Sequence, residues 1–107
     1  MDWNIKENKR LIRAILTLKT ADETRRFLRD LLTEKEIGEF ANRLKAAEML
    51  VAKKSYSAIG EATGLSSTTI ARVARWLYGK EGGYKTIIDR LHHNSLQVGE
   101  RVVLMHF

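Results

Sequence analysis

No proline interrupts these 107 residues, and between Ile5 and Val51 the only glycine is Gly38. Proline breaks helices and glycine weakens their interiors, so a stretch nearly free of both can form long helices. The hydrophobic spacing predicts that it does. Ile5, Leu11, Ile12, Ile15 and Leu16 include pairs three, four and seven apart, with Lys6, Lys9, Arg10 and Arg13 between them. This is an amphipathic helix ending near Lys19, and its cations read as a solvated face. Phe27, Leu28, Leu31 and Leu32 predict a second helix over residues 21–32, with Asp22 and Glu23 in the first turn, where the helix dipole favours acids. Thr33-Glu34-Lys35-Glu36 has the form of a capping box, with Thr33 capping the amide three residues on and Glu36 reaching back. A third helix starts there and carries Ile37, Phe40, Ala41, Leu44, Ala47, Leu50 and Val51 as far as about Lys53.

Beyond Ser55 the pattern shortens. Two helical pieces, residues 57–63 and 67–78, flank Gly64-Leu65-Ser66. Gly79 and Gly82-Gly83 break the chain before a further short helix, carrying Ile87, Ile88 and Leu91 and ending near His93. Residues 94–107 hold Leu96, Val98, Val102, Val103, Leu104, Met105 and Phe107 around Gly99 and read as a strand or extended tail of unknown role. The expected organisation is one all-α domain over residues 1–93 followed by that tail.

The pair of short helices has the requirements of a helix-turn-helix over about residues 56–78. Such a motif needs a small residue in its first helix, a turn residue that tolerates a left-handed backbone, and apolar residues locking the helices together. Gly60, Gly64 and Ile70 fill those places, with Ile59, Thr63, Leu65 and Val73 completing the locking face. Ser66 or Ser67 is the natural N-cap of the second helix. Its first turn meets base edges in motifs of this kind, which points to Ser67, Thr68 and Arg72 as base readers. Thr69, Ala71 and Arg75 join them or not according to the rotation of the helix. Lys53, Lys54, Ser55 and Tyr56, at the mouth of the first helix, are suited to phosphates, with Lys80 and Lys85 as secondary candidates. The competing reading of the same residues is a plain helical corner in the core.

Charge agrees with a polyanionic partner. Nineteen Lys and Arg against thirteen Asp and Glu give a net charge of +6, which favours nucleic acid without specifying it. The absence of cysteine excludes disulfides, thiolate zinc sites and thiol catalysis. No apolar run reaches the length of a membrane span and no signal-peptide core follows Met1, so a cytoplasmic, nucleoid-associated protein with no membrane partner is expected. His92 and His93 are adjacent and cannot share a helix face, so no metal is expected. Trp76, Leu77 and Tyr78 read as core packing at a helix end. No nucleophile with a base, no catalytic carboxylate pair and no phosphate-cradling glycine loop is present, so neither an enzyme nor a cofactor is expected.

Leu32-Thr33-Glu34-Lys35-Glu36, Asn42-Arg43-Leu44, residues 59–64 and Thr69-Ile70-Ala71-Arg72 together resemble the Trp-repressor superfamily. Tyr56-Ser57-Ala58-Ile59 and Gly82-Gly83-Tyr84-Lys85 are similar to its YerC/YecD-like branch. The resemblance implies an intertwined all-α homodimer and a transcriptional regulator, by default a repressor, that reads a roughly palindromic operator in double-stranded DNA. It also implies a corepressor site to which Thr33, Arg43 and Arg72 correspond. Val73 and Trp76, however, stand where the resemblance places a glycine against the indole ring and a serine on the ligand's amino group. Two large apolar side chains there would fill the pocket, so tryptophan is not the expected corepressor, and whether another small molecule acts stays open. The alternative is a helical protein–protein interaction module, antitoxin-like or a scaffold, that meets an acidic protein partner without sequence-specific DNA binding.

Overall fold

The computed structural model describes the backbone of residues 1–101 and the side chains of residues 1–93. Six helices and, among the described residues, no strand make the fold all-α: α1 (Lys6–Leu16), α2 (Ala21–Leu31), α3 (Glu34–Val51), α4 (Tyr56–Thr63), α5 (Ser67–Leu77) and α6 (Gly83–Arg101). The chain forms two compact units, residues 1–34 and residues 35–107.

The N-terminal unit holds α1 and α2 and buries no residue in either helix. α1 stops at Leu16, three residues before the expected Lys19, because the next helix begins with a strong cap. Thr20 is extended, its hydroxyl accepts from the Glu23 amide, and the Glu23 carboxylate accepts from the Lys19 amide. The chain must leave helical geometry to reach Thr20, and the Thr17 hydroxyl turns back on the Ala14 carbonyl at 2.7 Å. Ile5, Leu11, Ile12, Ile15, Leu16, Leu28 and Leu31 remain substantially exposed within the subunit.

The second unit owns the core. Ala46, Ala47 and Leu50 of α3, Ile59 of α4, Ile70, Val73 and Leu77 of α5 and Ile88 of α6 are buried together, with Leu44, Met49, Leu65, Ala74 and Tyr84 packed against them. The two alanines are fully buried in this core. At the end of α3, Lys53 adopts a left-handed conformation (φ 65°) and the Lys54 amide donates to the Met49 carbonyl, a glycine-type helix stop executed by a lysine.

α6 runs to Arg101, so residues 94–101 are helical and not the expected extended segment. No proline intervenes, and Gly99 alone costs only about 1 kcal/mol relative to alanine inside a helix. Residues 102–107, the remainder of that predicted tail, lie outside the described residues.

Candidate nucleic-acid interface

α4 and α5 are joined by a turn whose backbone is fully accounted for. Gly64 is left-handed (φ 74°) and its amide closes α4 on the Gly60 carbonyl at 2.8 Å. L-residues with a side chain rarely adopt this conformation, which is why a glycine ends α4. Thr63, itself buried, donates its hydroxyl to the Ile59 carbonyl at 2.7 Å and accepts from the Leu65 amide at 3.2 Å, so a single side chain ties the end of α4 to the turn. Ser66 then caps α5 by accepting from the Thr69 amide at 3.1 Å. Across the pair, the Lys45 ammonium of α3 donates to the Ala62 carbonyl at 3.5 Å, a cation at the negative end of α4.

Gly60 is less crowded than the motif suggests. A Cβ there would lie 3.5 Å from the Leu65 carbonyl oxygen and 3.9 Å from Ile70 Cδ1, ordinary contacts. Alanine therefore fits, while a longer side chain would press on the turn and on Ile70.

The rotation of α5 follows from what it buries. Ile70, Val73 and Leu77 point into the core. At 100° per residue the opposite side of the helix carries Thr68, Arg72 and Arg75, all exposed. Ser67 and Ala71 are exposed at the edge of that side. Thr69 lies on the flank, half-buried, with its hydroxyl within 3.1 Å of the Ser66 hydroxyl. Lys53, Lys54, Ser55 and Tyr56 are consecutive and exposed at the entrance to α4. The Ser55 oxygen accepts from the Ala58 amide at 3.0 Å as the helix cap, which leaves its hydroxyl proton to donate elsewhere. Lys80 and Lys85 are exposed beyond the far end of α5.

Arg43 and Arg72 border one small cavity of about 90 Å³, together with Thr69, Val73, Trp76 and Tyr84. The Arg43 guanidinium also sits 5.7 Å from the centre of the Phe40 ring, a cation–π distance. Trp76 and Tyr84 border a second, open groove of about 490 Å³ with Leu44, Glu81, Gly83 and Ile87. Trp76 is 54% exposed, so it forms the rim between two recesses and is not the core residue that its position at a helix end suggests. Thr33, the third residue of the implied corepressor site, belongs to the N-terminal unit. The α6 residue Tyr84, half-buried and reaching both recesses, was named in the sequence only within the segment that carries the branch resemblance and not as a site residue. Among the described residues no three His, Cys, Asp or Glu side chains gather as a metal site would require, and no helix is long and apolar enough to cross a membrane.

Comparison with known proteins gives this arrangement a family. Residues 6–92 match the family model described as Trp repressor protein. The chain is 41% identical over 92 residues to the uncharacterized protein YerC of Bacillus subtilis strain 168, covering 86% of this chain and 88% of YerC. The crystal structure of a TrpR-like protein from Eubacterium eligens superposes with a TM-score of 0.78 at 38% identity, over 84% of this chain and 93% of that one. A Staphylococcus aureus structure described as a candidate Trp repressor gives 0.72 at 38% identity, over 78% and 84% of the two chains. The chain thus belongs to the Trp repressor family, a family of DNA-binding transcriptional regulators and not of enzymes.

Proposed function

We propose that this protein is a sequence-specific repressor that reads a roughly palindromic operator as a homodimer and does so without tryptophan. The observation that carries the reading is the presentation of Thr68, Arg72 and Arg75 on the side of α5 opposite Ile70, Val73 and Leu77, next to an N-terminus fixed by Ser66. A rigid helix with its capped first turn free and a guanidinium one turn on is suited to the major groove, where arginine bonds guanine in two places and Ser or Thr bond several bases. Lys53, Lys54, Ser55 and Tyr56 are the phosphate contacts in this reading, with Lys80 as an outer one.

The dimer is supported by what the subunit leaves uncovered. Six large apolar side chains of α1 and α2, and Ile5 at the cap of α1, are exposed, and exposed apolar faces of this extent mark an interface with a partner. Two-fold symmetry would set the recognition helices about 34 Å apart, one turn of DNA, and sedimentation equilibrium at micromolar protein is expected to return the dimer mass. Independence from tryptophan is supported by Val73 and Trp76, which line the cavity beside Arg43 and Arg72 where the resemblance places a glycine and a serine.

Selection of duplex DNA from a random pool at near-physiological salt, with and without tryptophan, tests the reading. A palindrome enriched equally in both is the expected result. Enrichment only with tryptophan would refute the independence, and no enrichment in either would refute sequence-specific binding.

A further inference from the structure

α1 and α2 carry similar charges and treat them differently. In α2 three arginines face three acids, and the arginines are neutralised in place: Arg25 and Arg26 bond Asp22 at 2.7 and 2.9 Å, and Arg29 reaches Glu34 at 3.5 Å. In α1 the four cations Lys6, Lys9, Arg10 and Arg13 meet one acid, Glu7. All four are exposed, and among the described residues none of their side chains makes a hydrogen bond or ion pair.

Their spacing gathers them. At 100° per residue the four fall within an arc of about 100°, with Glu7 outside it, Ile5 and Leu16 along one edge, and Ile12 and Ile15 farther round the helix. Each cation therefore has two like-charged neighbours three or four residues away, an arrangement that weakens a helix in isolation. A bound polyanion reverses the sign of that effect.

We propose that this face of α1 is a second, sequence-independent phosphate-binding surface for duplex DNA, additional to α5. The proposal rests on the DNA-binding reading above. From Lys6 to Arg13 the helix rises about 10 Å, and each strand of a duplex presents one negative charge per roughly 3.4 Å of its axis, so about three phosphates of one strand lie along such a stripe. Contacts to phosphate oxygens carry no sequence information directly, so the contact adds affinity on every sequence alike. An anionic bilayer is the other polyanion that basic amphipathic helices meet. It would need the apolar side of α1 inserted among lipid chains, and Ile5, Ile12, Ile15 and Leu16 are the side chains the dimer covers.

The test uses the full chain with Lys6, Lys9, Arg10 and Arg13 all replaced by glutamine, a good helix former, and a second variant with only Lys6→Gln and Lys9→Gln. Thermal melts establish that both fold, and a chain with Lys6→Arg, Lys9→Arg, Arg10→Lys and Arg13→Lys keeps the charge. Binding to the selected operator and to a long random duplex is measured between about 50 and 200 mM salt. The slope of log K against log salt is expected to fall by about 0.9 per lost phosphate contact, thus by up to about 3.6 per subunit for the quadruple variant and half that for the double, twice those values for a dimer, equally on both duplexes. The charge-preserving chain is expected to keep the wild-type slope. A fall smaller than one contact, or a loss confined to the operator, overturns the proposal while leaving α5 as the DNA reader. Unchanged DNA slopes together with lost co-sedimentation on phosphatidylserine vesicles overturn it in favour of a membrane. Wild-type chain that binds neither duplex overturns the DNA reading itself.

Discussion

Arg72 and Lys54 separate the two kinds of contact that a helix-turn-helix makes. Arg72→Ala is expected to cost about 1–3 kcal/mol on the selected operator and to relax the preferred base, whereas Lys54→Ala weakens every duplex alike; competition binding on operator and scrambled DNA distinguishes them. Lys53 sits where a left-handed backbone favours glycine. Lys53→Gly is therefore expected to raise stability by about 1 kcal/mol in denaturant titration and, if the ammonium meets a phosphate, to lower the salt slope by about 0.9. A gain in stability with an unchanged slope would remove Lys53 from the interface. Thr63 is the buried polar residue of the turn. Thr63→Val keeps its volume but leaves the Leu65 amide without its acceptor, so a loss of about 1–3 kcal/mol is expected, seen as a lower urea midpoint. Of these features, the glycine at 64 and the serine cap were legible in the sequence because each has one geometric job. The pair of hydrogen bonds at the Thr63 hydroxyl and the sideways set of Thr69 were not, since both depend on where α4 ends to within one residue.

Helix limits show why some elements read well and others did not. α5 could be placed because Ile70, Val73 and Leu77 share one face and Ser66 opens it. The end of α1 was overrun because Thr20-Ala21-Asp22-Glu23 is a cap sequence in its own right, and its strength outweighs the apolar pattern that runs on to Leu18. The length of α6 was underestimated because Leu96 and Val98 alternate like a strand, while local helix propagation continues wherever nothing forbids it. Within α2, the bonds from Arg25 and Arg26 hold the Asp22 carboxyl below the ordinary 3.8. A group with a lowered folded pKa adds stability above its unfolded pKa and loses it as the pH falls through the folded value. α2 should therefore lose helicity below about pH 4, and Asp22→Asn should remove that part of the acid transition in circular dichroism; an identical acid transition in the variant would show that the pair contributes nothing.

At the scale of the molecule the core is small. Among the described residues eight buried apolar side chains, all in residues 46–88, hold the second unit together, and the helices of the first unit bury none of their own. The all-α class, the order of helices and the position of α5 could be read from periodicity. The division into two units could not, because an apolar stripe has the same spacing whether its own chain or another covers it. If the uncovered faces of α1 and α2 meet in a dimer, the midpoint of thermal unfolding rises with protein concentration, and a midpoint constant over a hundredfold dilution would argue for a self-sufficient monomer. Coupling of this kind makes dilution and unfolding a single process. The quantity of chain in the cell would then decide how much of it is folded at all, and repression would switch off at low copy number through degradation of unpaired chains, with no inducer required.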